Sequence, residues 1–323
     1  MHAILGLVND YRKQPRLSEP VIDIRVTLLI FAVLCSLGVL ILKNALVTAF
    51  AVAFKIDAYT HILLIFPISF LLLLSAWRKD PWRMSPSIRL GLLLISISGL
   101  IGIEGSRLHS TSDVAVDLRL SLEMLSFVIW VIGAFVLCFG KQAFRACMFP
   151  LLFLAWLIPL PSVALTQIIH FLQQGTVSFA HFILVVIGIP VAQDGTTLTV
   201  PGLTLQIAQE CSSIRSSMLL IVSSVLMSYL FLRSTWGRGA IVLASIPLAI
   251  AKNGLRVFTL AVLGAYFGPA ILNSPLHHQG GVLFLAIALV VVILLIWLVG
   301  KIEAWPLALP FRGPRPRTVG ARQ

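Results

Sequence analysis

Apolar runs of about 17 to 25 residues follow one another along this chain, each long enough to cross a hydrocarbon layer of about 30 Å, and no other feature limits its possible folds so sharply. A hydrophobic content of 59% against 11% charged residues rules out an ordinary water-soluble globule of 323 residues. The mean hydropathy of +1.00 agrees. The expected fold class is an all-α polytopic membrane protein of about eight transmembrane helices. Spans are expected near Val26–Leu42, Tyr59–Trp77, Ile88–Ile103, Leu122–Phe139, Ala146–Leu160, Ser213–Leu232, Ile241–Gly264 and Val282–Leu298.

Two segments fall outside this set. Ala45–Phe54 is too short to cross alone, and Leu165–Pro190 is interrupted by His170, Gln173, Gln174, Gly175 and His181. The second is expected to be re-entrant, interfacial or a paired half-span. Between it and Cys211, residues Gly195–Ile207 alternate apolar and polar side chains around Pro201-Gly202, the pattern of a small β-hairpin. Its open edge has no place in lipid, where each unpaired backbone group costs several kcal/mol, so it belongs at the outer, wet surface or under protein.

The formal charge of +12 would suggest nucleic acid in a soluble protein. Here the basic residues flank the spans, the bilayer is the expected partner and no nucleic acid is implied. With a cytoplasmic N-terminus and no crossing at Leu165–Pro190, the inner loops 1–25, 78–89, 140–145, 233–240 and 299–323 hold 4, 4, 2, 2 and 5 Lys plus Arg, 17 of the 24. That bias places both termini in the cytoplasm, with the protein multi-pass in the plasma (inner) membrane. No removable signal peptide is read in the first 25 residues. The expected layout is a cytoplasmic segment 1–25, a transmembrane domain 26–300 and a basic, disordered tail 301–323 with no appended soluble domain.

Chemistry has few places to sit in such a chain. Cysteines 35, 138 and 147 lie in apolar runs and read as inert, and no cysteine spacing suggests a metal site or a cofactor. Cys211 differs, because it stands in Gln209-Glu210-Cys211-Ser212-Ser213-Ile214-Arg215-Ser216-Ser217 at the start of a helix. There the unpaired N–H groups and helix dipole favour a thiolate, and Arg215 adds positive charge at i+4. A plainer reading makes Cys211 a small buried hydrophobe and Glu210–Arg215 a local ion pair.

Helix lengths put two further groups at the same depth. Cys211 stands 22 residues before Arg233, Arg256 stands 18 after Arg238, and His277 stands 24 before Lys301, so all three fall near the outer interface. Arg256, with Lys252 at i−4 and Asn253 between them, interrupts an apolar helix and points to an anion to be neutralised, although snorkelling alone also explains it. His277 is a proton carrier of the right kind, with His278 as its rival. Adjacent histidines without a third spaced ligand make a poor zinc site. His61, Glu104, His109 and His181 are read as structural or packing groups at helix ends.

The run Glu210-Cys211-Ser212-Ser213-Ile214-Arg215-Ser216, the Asn253-x-x-Arg256 pair and His277-x-x-x-Gly281, in this order, resemble the exosortase/archaeosortase family. Phe149–Leu154, Ile158–Pro161, Gly188–Pro190, Tyr59–His61 and the hairpin before Cys211 extend the resemblance over residues 20 to 300. Ser213 departs from it, since the family often has glycine there. The resemblance implies a multi-spanning cysteine transpeptidase, with Cys211 as nucleophile, Arg256 stabilising thiolate or oxyanion and His277 as general acid/base. Glu210, Arg215, Lys252, Asn253 and His278 would bind substrate or support the site. The implied partners are membrane-anchored proteins carrying a Pro-Glu-Pro-like motif, one transmembrane helix and a basic cluster, together with an acceptor nucleophile of unknown identity. Two other classes compete with this reading: a transporter or flippase binding an anionic lipid-linked substrate at Lys252 and Arg256, and a non-catalytic assembly scaffold.

Overall fold

The computed structural model describes residues 24–79, 85–108, 113–206, 214–268 and 275–304. Ten helices occur among them: α1 Ile24–Ile41, α2 Lys43–Lys55, α3 Ile62–Lys79, α4 Ile88–Arg107, α5 Asp113–Ala146, α6 Met148–Phe153, α7 Ser162–Val186, α8 Ile214–Phe231, α9 Thr235–Phe267 and α10 Pro275–Ala304. Short 3-10 turns occupy Asp57–Tyr59 and Leu154–Leu157. Strands β1 Ala192–Asp194, β2 Thr197–Val200 and β3 Leu203–Gln206 form one antiparallel sheet in that order. Eight helical segments among the described residues are long and apolar enough to span a bilayer. The chain is an all-α polytopic membrane protein, and its contacts divide it into two units, residues 1–52 with 62–161 and residues 53–61 with 162–323.

The set of eight differs from the expected one in one exchange. Leu165–Pro190 is not a re-entrant or half-span segment, because Ser162–Val186 is a single helix of 25 residues. Of the residues that interrupt its hydropathy, Gln173 is buried beside Thr176, a Cβ on Gly175 would stand 2.9 Å from Ile250 of α9, and His170 and Gln174 stay exposed. Close approach at small residues is how helices pair within a membrane. Conversely, Ala146–Leu160 is not one helix of crossing length. It breaks into α6, a 3-10 turn and an extended stretch, since Pro159 and Pro161 push Ile158 and Leu160 away from helical backbone.

In the first unit an aromatic cluster sets the packing. Phe31 of α1 meets Phe135 and Phe139 of α5 edge-on at 5.9 and 5.3 Å between centroids, and Trp77 of α3 meets Phe139 at 6.2 Å. Helices α4 and α5 are joined through reciprocal bonds, Ser98 Oγ to Ser126 O at 2.7 Å and Ser126 Oγ to Ser98 O at 2.8 Å. Gly140 interrupts α5 with φ 86°, and any Cβ there would collide with the Ser85 carbonyl. Beyond it Cys147 and Leu151 pack back on Phe135 and Phe139, and Ser121 Oγ donates to Pro159 O at 2.7 Å, so residues 147–159 double back along α5.

The second unit gathers α7 to α10 and the sheet. Helix α7 ends on Gly188 at φ 83°, with Ile189 N–H donating to Leu184 O and Gly188 N–H to Val185 O, a left-handed cap that the glycine makes inexpensive. The expected hairpin is present as β2 and β3, and β1 adds a third strand paired with β2. Leu198, Val200 and Leu203 press the sheet onto α7 and α9 through Val177, Leu184, Val257 and Ala261. At the opposite end of α9, the Glu303 carboxylate of α10 accepts from Arg233 N, Ser234 N and Ser234 Oγ at 3.0, 3.4 and 2.5 Å. The ends of three helices are thereby pinned together.

Candidate active site

Distances along the helices can be counted from that pinned end. At about 1.5 Å per residue, Ser216 lies about 26 Å along α8, Lys252 and Arg256 about 27 and 33 Å along α9, and the backbone of His277 about 39 Å along α10. The packing of Leu220, Ala249 and Ala288 into one cluster keeps the three helices in register as they climb. Ser216, Lys252 and Arg256 are therefore level to within about two turns, at the end of the unit where α8 begins.

The contacts at that end are specific. Lys252 Nζ donates to Ser216 Oγ at 2.6 Å and to Asn253 Oδ1 at 2.5 Å, and Asn253 Nδ2 donates to Ser217 Oγ at 3.2 Å. Lys252, Asn253, Arg256, Ser216 and Ser217 are all buried, with 7% or less of each exposed. Burial of Lys252, Asn253, Ser216 and Ser217 is tolerable because they satisfy one another. Gly254 lets α7 close over them, since a Cβ there would meet Phe179 at 2.5 Å.

Several sequence expectations meet this arrangement differently. Arg215 pairs with Asp57 of the 3-10 turn, and both side chains are more than half exposed. Asp57 lies 158 residues away, so no local spacing reveals it. Ser216 closes the motif run and Ser217 follows it, but only the α8–α9 contact shows what the two hold. His277 and His278 belong to the first helical turn of α10, not to a loop, and proline at position 275 opens that helix. Their side chains, together with Cys211 and Glu210, lie outside the described residues.

His61 has the structural role expected of it, buried with Nδ1 donating to the Ala58 carbonyl at 3.1 Å. Glu104 pairs with Arg107 on an exposed face, and His109 lies outside the described residues. Among the described residues no group of three His, Cys, Asp or Glu side chains is placed to hold a metal ion.

The model of the transmembrane exosortase family matches residues 54–294, three quarters of the chain. The chain belongs to that family, and with its apolar helices this makes it a multi-pass membrane transpeptidase of protein sorting. No curated protein and no solved structure matches it.

Proposed function

We propose that this protein cleaves the C-terminal sorting signal of exported proteins at the outer face of the inner membrane and passes them, through an acyl-enzyme, to an acceptor. The observation that supports this most is the buried α8–α9 network. It fixes Lys252 and Asn253 beside the first turn of α8, which begins three residues after Cys211, and Arg256 stands one turn further along α9. In this reading the Cys211 thiolate attacks the scissile carbonyl, and Arg256 faces the oxygen on which charge develops. The carbon–nitrogen bond then breaks as His277 gives a proton to the departing amine. An acceptor amine or hydroxyl attacks the thioester, returns a proton to His277 and releases the Cys211 thiolate; with water as acceptor the outcome is proteolysis.

The substrate would be a membrane-anchored protein with a Pro-Glu-Pro-like motif, a transmembrane helix and a basic cluster. Its helix lies in the bilayer beside the enzyme, and its motif reaches the interface where α8, α9 and α10 bring their polar ends. The transporter reading is weakened because α9 continues as one helix of 33 residues past Lys252 and Arg256, whereas transporter sites use broken helices.

Hydroxylamine tests the acyl-enzyme. Added to proteoliposomes containing the enzyme and a tagged substrate, it should divert the product to a C-terminal hydroxamate detectable by mass spectrometry. A product carrying no hydroxamate at saturating hydroxylamine, while processing continues, contradicts the covalent route.

A further inference from the structure

A cavity of about 400 Å³ lies inside the first unit, walled by α1, α2, α4 and α5. Its deep end is closed by Trp130 of α5. The Nε1 of that ring donates to Leu34 O of α1 at 2.9 Å, and a Cβ on Gly38 would stand 2.6 Å from it. The other end is polar. Arg119 Nε donates there to Glu123 Oε1 at 2.8 Å, and Asn44 of α2 and Ser106 of α4 complete the rim. Arg119 is the second residue of the apolar stretch Leu118–Ala146 and Ser106 the last but one of α4, so the rim sits where both helices leave the hydrocarbon. Trp130 lies eleven residues beyond Arg119, about 16 Å deeper, which is about half of a hydrocarbon layer of about 30 Å. The cavity therefore runs the depth of one leaflet.

Length and volume together narrow the occupant. Spread over that depth, about 400 Å³ leaves a slot thinner than a helix of about 10 Å diameter, so it suits a flexible hydrocarbon chain and not a transmembrane segment. The rim narrows it further, because it carries one positive and one negative group. The Glu123 side chain is only 12% exposed, so a head group of net negative charge meets a carboxylate held in place. Arg119 is 44% exposed, and its ion pair takes one of the five N–H donors of a guanidinium. We propose that this cavity binds one zwitterionic glycerophospholipid, its phosphate on Arg119, its ammonium toward Glu123 and one acyl chain running past Gly99 toward Trp130. The site shares no residue with the acyl-transfer machinery and does not depend on that reading.

The test is native mass spectrometry of the detergent-purified full chain, offered equal amounts of phosphatidylcholine, phosphatidylethanolamine and phosphatidylglycerol with matched acyl chains. One lipid should stay bound per protein, and each zwitterionic lipid should be retained about tenfold over phosphatidylglycerol, the usual effect of charge-assisted bonds. Glu123→Gln leaves the rim net positive and should turn the preference toward phosphatidylglycerol, which no merely unfolded variant does. Gly99→Leu fills the slot. Nothing lies within 4 Å of a Cβ at Gly99, so this variant should keep its Tm while the bound lipid is lost. Equal retention of the three lipids by the parent protein, or retention of none, overturns the proposal. So does a preference unchanged in Glu123→Gln, or a lipid still held by Gly99→Leu.

Discussion

Lys252 Nζ lies 2.6 Å from Ser216 Oγ, and this bond joins the middle of α9 to the first turn of α8. The neighbouring pair, Asn253 Nδ2 to Ser217 Oγ at 3.2 Å, repeats the link one residue along. Together they set the distance between the helix that follows Cys211 and the helix that bears Arg256.

Because Asn253 and Ser217 are almost wholly buried, removing one partner strands the other. Asn253→Leu should cost about 1–3 kcal/mol, read as a lowered Tm in detergent. Adding Ser217→Ala to that variant should recover part of the loss, because an apolar pair leaves fewer orphaned groups. A double variant as unstable as the sum of the two singles would show that the two side chains are not coupled.

The Asp57–Arg215 pair is more than half exposed on both sides and should matter little to stability. Arg215→Gln is expected to change unfolding free energy by about 1 kcal/mol or less. If its role is to steady the start of α8, Asp57→Asn should slow substrate processing as much as Arg215→Gln does, and the double variant no more than either. A loss confined to Arg215→Gln would instead return Arg215 to direct support of the thiol.

Gly254 is a packing requirement. A methyl group there meets the Phe179 ring, so Gly254→Ala should lower stability by about 1–3 kcal/mol and reduce processing with it. Gly239→Ala, with nothing near its added Cβ, serves as the control and should leave Tm nearly unchanged. Equal behaviour of the two variants would contradict the α7–α9 contact.

A reporter fused after Arg317 should read cytoplasmic, and one inserted at Gly195 external, as the distribution of basic residues requires. An external signal from the C-terminal fusion would mean that residues 147–159, which double back along α5, complete a crossing of their own.

Much of this was legible in the sequence, and the exceptions have physical causes. Apolar runs revealed most spans because helices facing lipid cannot conceal their composition; α1 and α10 are apolar on nearly every face. Helix α7 was obscured because Gln173, Thr176 and Gly175 face protein, and a hydropathy reading charges them as if they met lipid. Ala146–Leu160 misled in the opposite sense, being apolar throughout while Pro159 and Pro161 forbid a continuous helix. At the site, Lys252, Asn253 and Arg256 stood out in the sequence as polar residues interrupting an apolar helix. The partners Ser216, Ser217 and Asp57 depend on contacts between elements far apart in the chain, which local spacing does not encode.

The central claim is that Cys211 is the nucleophile of a sorting transpeptidase, and one comparison tests it most directly. A tagged membrane protein carrying the tripartite C-terminal signal is expressed with the wild-type enzyme or with Cys211→Ala at equal membrane abundance, and its electrophoretic mobility is followed. The account predicts conversion to a shorter species with the wild type and only the full-length form with Cys211→Ala. Normal conversion by Cys211→Ala would contradict it.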